Sequence, residues 1–317
     1  MHNNYLKTIG FQKYVSSGQE KNLLASVIAN PDRSMLVNLV PDEKDLNDAN
    51  RGIYRMGPTE EPKVRQITMI EKYFTRNREL GIRILGEYDE QGHFLTEKVI
   101  PFAESGLLST EVGCTIEMPA SSDVLFGLCD DYKVGLTLIF TISNFAEVFE
   151  HRRLYKKNPE LLGVSFCALA SEGHVILPVY KTEQQVVQAK KEIESHMKMV
   201  EAAKQGDRDA IDNLTVDDVN LYTSVVRRIA HEDLYTVIDT FILPVGVECD
   251  QYQVMGTIME YKLITNEFTG EAIYKILVEA NHMPIQVYMA KDDLVGELAQ
   301  GRRLKCNLWL QGEVAFI

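Results

Sequence analysis

The period of the apolar residues changes twice along this chain, and those changes limit the folds open to it. Up to about residue 180, apolar and polar side chains alternate over short runs, the period of two expected of half-buried strands. At Thr182 the period lengthens to about three and a half, and Val186, Ile193, Met197 and Val200 fall on one helical stripe. Over 234–317 the strand period returns in five runs: YTVIDTFILPV, YQVMGTIMEYKLI, AIYKILVEA, PIQVYMA and LKCNLWLQGEVAF. The pattern predicts an α+β chain with an N-terminal mixed sheet and helices over 1–182, a helical connector with one long helix over 183–232, and a C-terminal β-barrel-like domain over 233–317. Five strands in 84 residues suit a small closed sheet, and the oligonucleotide/oligosaccharide-binding (OB) barrel is the expected shape.

Turn and cap signals refine this outline. Ser17 and Glu20 have capping-box spacing and predict a helix with Leu23, Leu24, Val27 and Ile28 on one face. MLVNLV predicts a strand, and the charged, Gly- and Pro-containing stretch to about residue 62 predicts a loop with room for one short strand. GIRILGEY and HFLTEKVIPF flank Asp89-Glu90-Gln91-Gly92 as a hairpin, followed by strands over 114–118 and 133–143 and a helix over 145–154. GVSFCALA and HVILPVY predict a second hairpin turning at Ser171-Glu172-Gly173, with Pro178 marking an edge or an end because it cannot donate to a ladder. Thr182 with Gln185 caps the long helix and Gly206 closes it; Asp207 and Thr215 cap two more, the second carrying Val219, Tyr222, Val226 and Ile229. In the last region, 266–270 predicts a turn and Gly256 permits a sharp bend.

Composition narrows the class of partner. Forty-six acidic against 33 basic residues give a net charge of -13, which repels phosphate backbones and anionic lipid, so nucleic acid is an unfavourable partner. Cysteines 114, 129, 167, 249 and 306 are odd in number and form no CxxC pair, which predicts reduced, mostly buried thiols rather than disulfides or structural zinc. MHNNYLKTIGFQKY lacks the apolar core of an export signal, and the apolar stretch near 134–142 is too short to span a bilayer. A cytoplasmic protein without a membrane segment is the expectation.

No phosphate-binding loop, dinucleotide fingerprint, nucleophile elbow or zincin motif occurs, and no two of the seven histidines have the spacing of ligands on one helix face. No cofactor and no metal site is therefore expected. Asp130 and Asp131 could hold a hard cation or share a proton, although neighbours on a strand point to opposite faces; the same applies to Asp292 with Asp293, and to Glu248 with Asp250. Cys129 beside two carboxylates is a poor nucleophile, because negative neighbours raise a thiol pKa. Arg302, Arg303 and Lys305 gather cations ahead of the single tryptophan, Trp309, and together could hold a phosphate, a carboxylate or a stacked base. The alternative is an ion-pair rim in which the arginines meet Asp292, Asp293 or Glu297 while Trp309 fills the core.

The segments GEYDEQGHF, GLCDDYKVGLTLIF, LPVYKTEQQ, DTFILPVGVECDQYQVMGTI and GRRLKCNLWLQG resemble the bacterial domain-of-unknown-function family 3881. The resemblance runs the length of the chain and implies a cytosolic protein of an anaerobic low-GC Gram-positive bacterium with one continuous architecture. It implies no reaction, ligand or catalytic residue. From the residues themselves, the leading expectation is a binding or scaffold protein for a protein or small-ligand partner. An enzyme with a cleft between the N-terminal sheet and the C-terminal barrel is the alternative, and a nucleic-acid-binding barrel comes third.

Overall fold

The computed structural model of the chain describes residues 5–39, 65–111, 113–118, 124–131, 134–155, 161–179, 234–316 and scattered positions between 184 and 231. Its contacts divide into two units, residues 1–176 with 242–317, and residues 177–241.

The first unit is strand-dominated α+β. It opens with a π-helical turn (Lys7–Phe11), α1 (Gln12–Ser16) and α2 (Glu20–Ala29), whose Leu23 and Val27 are fully buried. β1 (Arg33–Leu39), β2 (Arg65–Tyr73), β3 (Leu80–Tyr88) and β4 (Phe94–Ala103) then form an antiparallel sheet in chain order. Asp89 closes the β3–β4 turn by accepting the N–H groups of Gln91 and His93 at 2.9 and 2.7 Å.

A second, ten-stranded sheet contains β5 (Cys114–Glu117), β6 (Phe126–Cys129), β7 (Leu138–Ile142), β8 (Leu161–Ile176), β9 (Phe241–Pro244), β10 (Gln251–Thr265), β11 (Ala272–Ala280), β12 (Met283–Ala290), β13 (Leu294–Val295) and β14 (Arg303–Phe316). α3 (Phe145–Tyr155) links β7 to β8. β10, β11 and β12 form an antiparallel meander. β8 pairs in parallel with β12 and antiparallel with β14, and β14 pairs antiparallel with β10. The hydrogen-bonded path β8-β12-β11-β10-β14 therefore returns to β8. In β8 and β12 long stretches are buried without a break, Val164–Ala170 and Ile285–Ala290.

Several expectations are corrected by this arrangement. Residues 161–176 are one continuous strand rather than a hairpin, because β14 runs alongside from Leu161↔Phe316 to Ile176↔Arg303. Ser171-Glu172-Gly173 is taken up by a register shift opposite Lys305 and Asn307, with Glu172 at φ 55°. A Cβ on Gly173 would lie 2.5 Å from the Met289 sulfur, so the glycine serves close packing. Ser17 does not begin α2: its hydroxyl donates to Lys13 and Tyr14 carbonyls and ends the preceding turn. The strand expected over 133–143 is only Leu138–Ile142, while β2 and β6 were not foreseen. The sequence-based boundaries at 182/183 and 232/233 place β8 and β14 in different domains, although the two strands share a ladder.

In the second unit, described positions from 184 to 203 are helical. Gly206 has φ 90° and donates its N–H to the Ala203 carbonyl at 3.0 Å. Asp207 accepts the N–H groups of Asp209 and Ala210 at 3.0 and 3.3 Å, as a helix cap does. Thr182, Gln185, Val186, Ile193, Met197, Thr215, Val219, Tyr222, Val226 and Ile229 lie outside the described residues. Leu234–Val237 is a helical turn where strand was expected. Among the described residues, no helix is long and apolar enough to cross a membrane.

Candidate functional site

Two places in the first unit gather chemistry-bearing side chains. The first is built by the N-terminal turn. Gly10 sits at φ 89°, and a Cβ there would lie 2.7 Å from the Asn266 side chain, so only glycine allows this approach. Asn266, fully buried, donates to the Ile9 carbonyl at 2.8 Å, and the Thr269 hydroxyl donates to the Gly10 carbonyl at 2.6 Å. The β10–β11 turn is thereby tied to the N-terminal segment.

Beside this junction lies a cleft of about 410 Å³, lined by Lys7, Gln12, Lys13, Glu271, Lys291 and Asp292 among others. Glu271 spends both carboxylate oxygens on the backbone N–H groups of Gln12 and Lys13, at 2.9 and 3.1 Å. Lys7 stands 3.2 Å from Asp293. Lys13 and Lys291 are exposed at the cleft. In a chain of net charge -13, a cleft where Lys13 and Lys291 stand beside one further lining carboxylate, Asp292, with Lys7 held by Asp293, is locally favourable to an anion.

The second place is the seam between the four-stranded and ten-stranded sheets. Arg83 on β3 is 1 % exposed and donates to Glu71 on β2 through Nε and Nη2, both at 2.7 Å. Its other donors reach the Ile142 and Ser143 carbonyls across the seam, and its plane lies 4.9 and 5.0 Å from the Phe102 and Phe145 ring centroids. Gln311 on β14 accepts the Ala103 N–H at 2.8 Å and donates to the Pro101 carbonyl at 3.0 Å. Glu104, at the end of β4, accepts the Tyr73 hydroxyl at 2.9 Å, while its own carbonyl accepts the Tyr288 hydroxyl at 2.8 Å.

Burial raises the Glu104 carboxyl to about 7; the Tyr73 hydrogen bond and Arg83 oppose the rise, whereas Glu313 and Glu71 add to it. The phenols of Tyr73 and Tyr288 are raised, first by burial and then by surrounding carboxylates. Cys167 donates to the Ala103 carbonyl at 3.0 Å, and burial raises its thiol far above the ordinary value. A half-buried carboxyl titrating near neutrality beside a phenol can hold or release a proton, which is the chemistry this seam offers.

The residues singled out in the sequence are dispersed. Trp309 is fully buried, its indole N–H donating to Asp250 at 2.6 Å, so no ring face is open for a stacked ligand. Arg303 is 4 % exposed, and six residues of extended strand, about 20 Å, separate it from Trp309. Arg302 donates to the Glu297 carbonyl at 2.7 Å and stands 3.3 Å from its carboxylate. Lys305 is half-buried on β14. Asp130 is exposed and accepts from the Thr137 hydroxyl, whereas Asp131 is 1 % exposed and accepts from the Thr110 hydroxyl at 2.7 Å. Both lie in the loop after β6 and they turn to different partners. Asp292 borders the cleft, and Asp293 pairs with Lys7. Glu248 accepts from Gln251 at 2.6 Å. The Cys129 thiol is pushed up to about 11 by burial and by Asp131 and Asp130.

Glu104, Tyr73, Lys13 and Lys291 were not foreseen. PFAESG has the composition of a surface turn, and the lysines of the cleft come from opposite ends of the chain. Among the described residues, no group of three or more His, Cys, Asp or Glu is placed to hold a metal ion.

The family model described as "Domain of unknown function, E. rectale Gene description (DUF3881)" matches residues 6–312. No curated protein and no solved structure matches the chain significantly. The match spans both sheets, from the N-terminal turn to β14, and the chain belongs to the DUF3881 family.

Proposed function

We propose that the chain is a binding protein for a small anionic ligand, carboxylate- or phosphate-bearing, seated in the cleft beside Lys7, Lys13 and Lys291. The observation that carries this reading is the commitment of Glu271 to the backbone of Gln12 and Lys13, which keeps that lining carboxylate from competing for Lys13 and Lys291. The volume of about 410 Å³ falls in the range of small-molecule sites. The strand ring supports an OB-type barrel in permuted order: the meander β10-β11-β12, with β8 parallel to β12 and β14 between β8 and β10, has the neighbours of that barrel with its last strand placed first. Nucleic acid is a poorer ligand, because Trp309 and Arg303 are buried and the net field is negative.

The test is melting temperature against concentration of citrate and of inorganic phosphate. Stabilisation by either should grow with concentration as RT ln(1 + [L]/Kd), and Lys13→Ala with Lys291→Ala should reduce it without changing the melting point of the unliganded protein. Absence of any concentration-dependent shift, or one the double variant leaves intact, would defeat the reading.

A second reading, an acid–base enzyme working at the seam, is favoured by one observation: the Glu104 carboxyl raised to about 7 against the Tyr73 phenol. It would use Glu104 as proton donor or acceptor for a substrate bound between the two sheets.

A further inference from the structure

We infer that β10 joins two copies of this chain edge to edge, through a two-fold axis at Tyr261. β14 covers one side of β10 only from Gln251 to Thr257. On the other side β11 pairs with residues 257–265. β9 meets β10 through a turn closed by the Val245 N–H on the Gln251 carbonyl at 2.9 Å, so its four residues reach only to about residue 255. Among the described residues, no strand lies along the outer edge of 259–265. Residues 259–263 are all exposed, and three are large and apolar: Met259 at 39 %, Tyr261 at 43 % and Leu263 at 52 %. A bare, apolar strand edge is a template for another strand.

Backbone phase fixes which residues would bond. Asn266 turns its N–H and C=O toward β11, donating to the Glu271 carbonyl at 2.9 Å and accepting from Gly270 at 2.8 Å. In an antiparallel ladder the direction alternates by residue, so 264, 262 and 260 also face β11, while Leu263, Tyr261 and Met259 present theirs outward. The register shift between Ile258 and Glu260 accounts for Ile258 still facing Arg302 and Gly301 on the β14 side. A two-fold at Tyr261 lets three residues from each copy exchange N–H···O=C bonds.

Side chains select the second copy as the occupant. With the axis at Tyr261, Tyr261 faces Tyr261 of the partner subunit once on the axis, while Met259 facing Leu263 of the partner subunit and Glu260 facing Lys262 of the partner subunit each occur twice. A slip by two residues in either direction instead sets Glu260 against Glu260 of the partner subunit, or Lys262 against Lys262 of the partner subunit, both repulsive. Only the Tyr261 register is self-complementary in charge and in apolar contact. Within its own ladder Lys262 stands opposite another cation, Lys275, which makes a partner carboxylate on its other side more favourable.

The experiment is analytical ultracentrifugation of the full chain across the micromolar range, with charge variants. Wild type should show a reversible dimer. Glu260→Lys alone and Lys262→Glu alone each create like-charge pairs and should raise the dimer Kd about tenfold or more, with the far-UV circular dichroism unchanged because both positions are exposed on the single chain. The swapped double variant should restore the dimer. Mixing the two single variants should give a heterodimer, since each then carries one sign of charge. A wild type that stays monomeric at the highest concentration overturns the inference, as does a dimer indifferent to both single variants. A dimer weakened by the singles but restored neither by the swap nor by mixing also overturns it. Citrate or phosphate binding at the cleft is read separately and does not enter this result.

Discussion

The indole N–H of Trp309 and the hydroxyl of Thr141 converge on one oxygen of Asp250, at 2.6 and 2.7 Å, joining β14, β7 and the start of β10 at a point closed to solvent. Two buried donors share this one acceptor, so its removal takes from both their shortest hydrogen bond. Asp250→Ala should destabilise by roughly 2–4 kcal/mol, while Asp250→Asn, which keeps an oxygen in place, should cost clearly less. Denaturant melts of the two variants decide this, and equal losses would contradict it.

Arg83 and Glu71 predict a different pattern. Arg83→Met leaves a buried carboxylate without its main partner and should cost about 3–5 kcal/mol. The double variant with Glu71→Leu should cost less than the sum of the single losses, because an apolar pair of similar size needs no charge compensation. Strict additivity in a double-mutant cycle would show that the pair is not coupled.

Glu104 predicts a pH dependence whose sign follows from its raised pKa. The folded protein holds this proton to about 7, against an ordinary carboxyl value of 4.5, so the folded state binds protons more tightly. The corresponding stability is complete below about 4.5 and is lost as pH rises through about 7. Glu104→Gln keeps an acceptor for Tyr73 and cannot ionise. Its melting point should match wild type near pH 5 and exceed it near pH 8, and a difference independent of pH would show that Glu104 titrates normally.

The thiols should separate by access. Cys129, Cys167 and Cys306 are buried, with burial pushing Cys306 up to about 12 and Cys129 to about 11, whereas Cys249 is exposed. A thiol reagent at pH 8 should label one cysteine rapidly in the native protein and five after denaturation. Fast labelling of several native thiols would indicate that the sheets open readily.

Much of the strand content was legible because alternation is a local signal. β3, β4, β10, β11, β12 and β14 fall where the apolar runs place them, and the 266–270 turn closes through Asn266 as its composition suggests. What the sequence hid is long-range. Ser171-Glu172-Gly173 has turn composition, yet β14 pairs past it, and no local rule reveals a ladder partner more than a hundred residues away. Asp250 lies next to an exposed cysteine and resembles a loop acid, but Trp309 and Thr141 bury it. The cleft was illegible for the same reason, since Lys7 and Lys13 meet Lys291 only after the N-terminal turn packs against Asn266.

Anion binding at the cleft is decided by a crystal of the full chain soaked in citrate. Density for the anion is expected between Lys13 and Lys291, with its oxygens within hydrogen-bonding distance of both Nζ atoms and Glu271 still on the backbone of Gln12 and Lys13. An empty cleft at saturating citrate, or citrate bound elsewhere while the cleft stays empty, would contradict it.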